Sequence, residues 1–333
     1  MRILRAVLAA AAATTLLAGC VQGEDAPADK AGSGGDDAVT LRLDYAYYNP
    51  ASLVLRDQKW LETELAAKNV TVTWQLSAGS NKANEALRAE AIDVGSTAGV
   101  AALVARANGA PIKTIDVFSQ PEWAAIVVPK DSPITDAAGL KGRKIAATKG
   151  TDPYFFLLQT LDEAGLKPRD VTVTNLQHAD GRTALERGDV DAWAGLDPLM
   201  ATSELDAGSK LIYRNVGFNS YGVLNAREKF LAEQPELAQA VVNAYEKARQ
   251  WIKDNPDQAV ALYAKEAKIS EAVAKKVLTE RTRLDIDPVP GAAQRAVFEK
   301  ILPVLVADAN VKTEEAARTA LDSLFEPKYA SAS

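Results

Sequence analysis

The sequence predicts an α/β protein of two lobes, each a mixed sheet flanked by helices, with a helical C-terminal third. Three observations predict it. A strand-helix-strand segment recurs farther along the chain, strands alternate with helices up to about Leu224, and from Arg227 to Phe325 apolar positions are spaced by three and four. At 333 residues the length favours two domains, and 47% hydrophobic with 25% charged residues is an ordinary globular composition that can bury a sizeable core.

The repeat organises the rest. Val70-Thr71-Val72-Thr73 is matched by Val171-Thr172-Val173-Thr174, and Ala86-Leu87-Arg88-Ala89-Glu90-Ala91-Ile92-Asp93-Val94 is matched by Ala184-Leu185-Glu186-Arg187-Gly188-Asp189-Val190-Asp191-Ala192. Each copy reads as a β-α-β unit. Each ends in a short strand and small or turn-forming residues, Gly95-Ser96-Thr97-Ala98-Gly99 and Gly195-Leu196-Asp197-Pro198, before another helix. In open α/β sheets a ligand sits outside the carboxyl ends of the strands, where helix N-termini leave backbone N–H groups unpaired. Two such edges, facing each other, make a clamp.

Taken in order, Arg2 and Arg5 precede an apolar run from Ala6 to Leu17 that is too short for a membrane span, so residues 1–19 read as a secretory signal. Residues 20–37 are rich in Gly, Ala, Asp and Ser and read as a flexible tether. The folded part begins near Ala38. Val39, Leu41, Leu43 and Tyr45 alternate as in a strand, Tyr47 to Ser52 turns the chain, and Val54, Leu61 and Leu65, with Leu53 and Trp60, recur at helical spacing. After the first copy, Lys113 to Phe118 and Ala124 to Val128 read as strands, and Pro129 to Pro133 marks the crossing between lobes. Lobe 1 is therefore expected to hold 38–129 plus 222–333, and lobe 2 to hold 130–221. Lys144 to Ala147 is a strand; Asp152 is a natural N-cap and Pro153 suits the first turn of a helix running to about Ala164. Lys210 to Tyr213 adds a strand, and Tyr221 to Leu224 carries the chain back. In the C-terminal third Pro235, Pro256 and Pro303 are punctuation, Trp251 and Tyr263 are expected in the core, and no chemical motif stands out.

The totals exclude several classes. Lys and Arg number 38 against 44 Asp and Glu, a formal net charge of −6 that becomes −8 once Arg2 and Arg5 leave with the signal; this gives no support for nucleic-acid binding. Cys20 is the only cysteine and His178 the only histidine, so disulfides within the chain are excluded and Cys- or His-rich metal sites are implausible.

Leu17-Ala18-Gly19-Cys20 resembles the lipobox of bacterial lipoproteins, which implies that Cys20 becomes the lipid-modified first residue of the mature protein. Several acyl chains on one residue give the stable anchoring that a single chain does not. Farther on come Tyr48-Asn49-Pro50, Gly79-Ser80-Asn81-Lys82, Ile92-Asp93-Val94-Gly95-Ser96-Thr97, Glu122-Trp123, Val128-Pro129-Lys130-Asp131-Ser132-Pro133-Ile134, Gly139-Leu140-Lys141-Gly142-Arg143-Lys144-Ile145-Ala146, Lys149-Gly150-Thr151 and Gly188-Asp189-Val190-Asp191-Ala192-Trp193. Their order resembles the substrate-binding proteins of bacterial ABC importers, in particular the aliphatic sulfonate, taurine and nitrate branch, over about Val39 to Lys253. The resemblance implies the type II periplasmic-binding-protein fold and a small ligand shut between two lobes by hinge closure. It also implies an ABC permease as partner, a monomer held outside the cytoplasmic membrane by its lipid, no cofactor or metal, and no chemistry on the ligand.

Carried over by resemblance, the cleft loops fall on Asn49, Ser80, Asn81, Ser96, Thr97, Glu122, Trp123, Gly150, Thr151, Trp193 and Asp197, and Asp152 joins them as a rim acid. Ser80, Asn81, Ser96, Thr97 and Thr151 have a physical case of their own: hydroxyl and amide side chains at expected helix starts, where the helix dipole favours an anion. The bland alternative is that they cap their helices. Glu122, Asp152, Asp180 and Asp197 fall on rim loops against Lys82, Lys149 and Arg182, and Asp152 would occupy N–H groups that an oxyanion needs. A sulfonate that also bears an amine, such as taurine, suits that lining better than nitrate; bicarbonate and thiamine-precursor pyrimidines are the other ligands of the same receptor class. The bilobal fold also hosts porphobilinogen-polymerising and sulfinate-cleaving enzymes. Those need a reactive residue, and here the cysteine is at the lipid site while His178 lacks a Gly-x-Ser-x-Gly elbow and reads as structural.

Overall fold

Runs of four to ten residues, most of them alternating or continuous in apolar character, give ten strands in the computed structural model, which describes residues 39–330, and a two-residue pairing gives an eleventh. The signal, the tether and Cys20 lie outside the described residues. The strands are β1 (Val39–Tyr45), β2 (Val70–Leu76), β3 (Val94–Ala98), β4 (Ile112–Pro121), β5 (Ala124–Val128), β6 (Lys144–Ala147), β7 (Thr172–Asn175), β8 (Ala192–Leu196), β9 (Lys210–Tyr213), β10 (Gly222–Arg227) and the two-residue β11 (Thr282–Arg283). They form one sheet in the order β11-β4-β10-β3-β1-β2 and a second in the order β7-β6-β8-β5-β9. Helices flank both.

The two repeat copies occupy equivalent places. β1 lies between β2 and β3 and is parallel to both, as β6 is to β7 and β8. The next strand outward, β10 in one sheet and β5 in the other, is antiparallel. The aspartate common to both copies sets the register in the same way. Asp93 Oδ2 accepts from Arg42 N at 2.9 Å and Asp93 N donates to Arg42 O at 2.7 Å; Asp191 Oδ2 accepts from Lys144 N at 2.8 Å and Asp191 N donates to Lys144 O at 2.8 Å. Each carboxylate thereby satisfies a strand-edge N–H and ties the third strand of its unit to the central one.

The lobes exchange strands. β5 arrives from the first sheet but pairs with β8 and β9, and β10 arrives from the second but pairs with β3 and β4. This corrects the expected crossing at Pro129 to Pro133: the chain crosses at 122–123, because the fully buried run Ala124–Val128 needs partners on both edges and finds them in the second sheet. It returns at 219–221, where Tyr221 holds a left-handed φ of 58°.

Other local differences have local causes. The apolar spacing after Tyr47 is realised as two helices, Pro50–Gln58 and Trp60–Ala66, because Lys59 takes a left-handed φ of 52° between them. Pro303 does not punctuate but sits inside the helix Ala292–Ala307. Thr151, not Asp152, is the N-cap of the helix Asp152–Glu163. The C-terminal third is helical apart from β11, with Tyr263 buried and Trp251 half-buried, edge-on to Trp60. Among the described residues no helix is long and apolar enough to cross a membrane.

Candidate functional site

The carboxyl ends of the two parallel strand sets face each other. The helices of the two repeat copies, Ser80–Arg88 and His178–Arg187, both start on these rims and point their N-termini at one another. A methyl group on Gly79 would stand 3.0 Å from His178 Nε2 and 2.8 Å from Asn81 Oδ1, so a side chain there would have to displace groups on both rims. Gly150, at a left-handed φ of 77°, lets the loop before the helix Asp152–Glu163 come up against Asn81. Three helix N-termini from two lobes thus converge, and their unpaired N–H groups with the positive ends of the helix dipoles favour a negatively charged ligand.

Between the rims lies a cavity of about 220 Å³. Tyr47, Tyr48, Leu76 and Ser77 wall it from the first lobe and Gln177, His178, Leu196, Asp197 and Pro198 from the second, with Ile269 from the C-terminal third closing one side. Its size suits a ligand smaller than the drug-sized compounds that fill cavities of about 300–1,000 Å³. Wider depressions of about 500 and 570 Å³ lie on helical surfaces around 252–285 and 106–323, away from both rims.

The twelve candidate residues divide by what their side chains already bond. Asn49 caps the helix Pro50–Gln58, accepting from Ser52 N at 3.3 Å. Ser80 Oγ accepts from Ala98 N at 2.9 Å, Ser96 Oγ donates to Asp44 at 3.1 Å, and Thr97 Oγ1 accepts from Asn225 Nδ2 at 2.7 Å. Thr151 Oγ1 donates to Thr148 O at 2.6 Å. These polar groups build the rims from within. Trp193 is buried in the second lobe's core, packed on Gly181, and Glu122 is half-buried in a two-pronged pair with Arg214 at 2.8 Å. Asn81 Oδ1 is buried without a hydrogen-bond partner among the described residues, between Ser80 and Gly150 on the rims.

Asp152 and Asp197, two of the rim acids, are held by the fold. Asp152 takes none of its own helix's N–H groups; it accepts from Trp123 Nε1 at 2.8 Å, Ser220 N at 2.8 Å and Ser220 Oγ at 2.5 Å. It therefore does not block an oxyanion as expected from the sequence, but pins the return crossing. Ser220 completes that pin on the other lobe: its Oγ accepts from Val100 N at 3.0 Å and its carbonyl from Gly99 N, at the start of the helix Gly99–Ala107. Trp123 stacks edge-on against Tyr48 at 5.8 Å, so the crossing and the cavity wall share one packing unit. Asp197 accepts from Arg281 Nη1 at 3.1 Å and from Ala201 N at 2.9 Å. Burial nevertheless pushes its carboxyl up to about 6, against the lowering effect of Arg281, and burial does the same to Asp44, up to about 7. Lys82 and Arg182 pair with Glu85 and Glu186 of their own helices.

Two residues of the site carried weak or no sequence signal. His178, expected as structural, lines the cavity; its standing as the first residue of the second repeat helix, opposite Ser80, was visible in the repeat. Arg281 follows a π-helical turn, Lys276–Glu280, and joins the C-terminal third to Asp197 and Glu204 of the second lobe. Nothing in its sequence neighbourhood marks it.

A family described as NMT1/THI5 like matches residues 65–259, more than half of the chain. The chain belongs to this family. Within reach of this NMT1/THI5-like chain is a relative from Escherichia coli (strain K12) whose name assigns it to aliphatic sulfonates, 30% identical over 251 residues that make up 75% of this chain and 78% of that one. Among solved structures, the alkanesulfonate-binding protein SsuA from Xanthomonas axonopodis pv. citri bound to MOPS has a TM-score of 0.77 and 24% identity, covering 86% of this chain and 99% of its own. The periplasmic aliphatic sulphonate binding protein SsuA from Escherichia coli has a TM-score of 0.73 and 26% identity, covering 86% and 92%. The fold of the NMT1/THI5-like chain is thus the two-lobed, type II periplasmic-binding-protein fold, with two mixed sheets and a helical C-terminal region.

Proposed function

We propose that this chain is the extracytoplasmic receptor of an ABC importer, which closes two lobes on a small organosulfonate and presents the closed form to a permease. The observation that carries this reading is the apposition of the two repeat helices, N-terminus to N-terminus, over one small cavity between lobes joined by two crossings. The sulfonate-binding relatives support the ligand class. In this reading function is closure and not turnover, in keeping with relatives named as binding proteins; the hydroxyl that meets His178, that of Thr148, is donated to Leu176 O.

A thermal-denaturation panel with taurine, alkanesulfonates, nitrate and bicarbonate tests it. A bound sulfonate at 100 times its dissociation constant adds about 2.7 kcal/mol of stability. A response to nitrate alone would keep the receptor and discard the sulfonate, and scattering dimensions unchanged by a bound ligand would reject closure. The same reading makes residues 1–19 a signal and Cys20 the lipid-bearing residue at the end of a tether. Cys20→Ser removes the thiol that takes the lipid, and should shift the protein from the membrane fraction to the soluble one.

A further inference from the structure

We propose that His178 contacts the ligand directly and, through the lone pair of Nε2, selects sulfonates that carry a hydrogen-bond donor; the proposal rests on the receptor reading above. The bonding network assigns the tautomer. Thr148 Oγ1 donates its single hydrogen to Leu176 O at 2.6 Å, so at its 3.1 Å contact with His178 Nδ1 it accepts, and Nδ1 carries the ring hydrogen. Nε2 is then a bare acceptor. It has no hydrogen-bond partner among the described residues, although His178 is only 2% exposed, and it lies beside Gly79, where an added methyl would come within 3.0 Å of it. Burial holds the ring neutral, with its pKa down at about 3. Gln177 Oε1, beside it in the cavity wall, is a second buried atom without a partner.

The cavity wall therefore offers acceptors, while none of its lining residues is Lys or Arg. The sulfonate oxygens have the N-termini of the helices Ser80–Arg88 and Asp152–Glu163 to meet; the other end of the ligand meets the His178 side chain. A ligand whose far end is a methyl leaves Nε2 desolvated and unpaired, and a site built around a polar group rejects such an analogue more strongly than a merely apolar pocket would.

Calorimetric titration of the protein with taurine, isethionate and ethanesulfonate tests this, because the three differ only in carrying an ammonium, a hydroxyl or a hydrogen on the carbon far from the sulfonate. The two donor-bearing ligands are expected to bind about 10-fold or more tightly than ethanesulfonate. In His178→Phe, which keeps a ring in place but has no acceptor, that preference disappears because the donor-bearing ligands weaken and ethanesulfonate does not. Equal binding of all three by the wild type overturns the proposal, as does a His178→Phe variant that weakens all three alike. Binding of none of them defeats the receptor reading, and the proposal falls with it. Nitrogen-15 spectra of the single imidazole give a second test that needs no variant. A neutral ring protonated at Nδ1, with an Nε2 signal that moves on adding taurine, is the expected result; a ring protonated at Nε2 overturns it.

Discussion

The two copies of the β-α-β unit share a register and differ in what their polar groups are spent on. In the first copy Asp93 is buried and receives Arg42 and Arg227 at 2.7 and 2.6 Å, Ser80 is tied to Ala98, and Ser96 to Asp44. In the second, Asp191 is exposed and only loosely met by Arg143 at 3.9 Å, and His178 and Gln177 keep buried atoms unbonded. The first lobe thus has its strand ends tied down by charge and hydroxyl pairs, although Ser77 Oγ, Asn81 Oδ1 and Asn84 Oδ1 are also buried without partners among the described residues. The second keeps acceptors in reserve, on the face that closes. One duplicated plan can hold both, because the backbone register depends on the aspartate N–H and carboxylate, while the helix-start side chains are left to vary.

The aspartate pair gives the largest expected contrast. Burial alone would raise the Asp93 carboxyl, but the bonds from Arg42 and Arg227 outweigh it and hold the carboxyl below its ordinary value. Asp93→Asn leaves the guanidinium of Arg227, itself 9% exposed, with only the exposed Glu90 at 2.8 Å as counter-charge, and should cost about 3 kcal/mol by chemical denaturation. Asp191→Asn, at the equivalent position, should cost about 1 kcal/mol or less. Equal losses would mean that the register bond, common to both, outweighs the charge.

Arg281 probes the second lobe against the C-terminal third. Its guanidinium is 3% exposed and its partner Asp197 2%, so Arg281→Met strands a buried carboxylate and should cost about 3–5 kcal/mol. The double variant Arg281→Met with Asp197→Leu should recover most of that loss in the same denaturation assay. Recovery fails if Asp197's bond to Ala201 N, and not its charge, holds the end of β8 in place.

The sheets, the repeat and the return crossing could be read from the sequence because each rests on local periodicity. Much of the site could not. The early crossing depended on which sheet would accept the apolar run Ala124–Val128, a question of available edges and not of propensity. Thr97 and Ser96 had the right chemistry at the right rim, yet Asn225 and Asp44, contributed by other strands, claim their hydroxyls. Asp152 looked like a cap because Asp before Pro usually is one; the hinge residue Ser220, 68 positions away, competes for it and wins. The resemblance carries Trp193 onto a cleft loop, but it lies on a strand with five buried residues and packs in the lobe core. What sequence patterns convey is which backbone ends meet. Which side chains remain unbonded there is settled by long-range partners.

The reserve acceptor has a pH signature. His178 has a folded pKa of about 3 against about 6.5 in an unfolded chain, so the neutral ring contributes stability that is fully present above pH 6.5 and is lost as pH falls toward 3. Asp44 and Asp116, both raised to about 7 by burial, run the other way: their contribution is fully present below about pH 4 and is lost as pH rises through 7. Between pH 8 and pH 5 the stability of wild type should therefore fall by about 2 kcal/mol relative to His178→Gln. A constant gap between the two proteins across that range would mean that the ring is charged, or wetted, in the folded state.

Glu122 supplies the smallest effect and separates rim from surface. Its pair with Arg214 is exposed on the arginine side by 49%, so water screens the charges and Glu122→Gln should cost less than about 1 kcal/mol. The pair sits beside the crossing, where Glu122 N also donates to Arg281 O at 2.6 Å, and this backbone bond survives the substitution. Ligand affinity measured by calorimetry should then match wild type, whereas His178→Phe shifts it. A comparable loss of affinity in both would place Glu122 in the closing motion itself, and would make the outer face of the crossing as much a part of the clamp as the cavity wall.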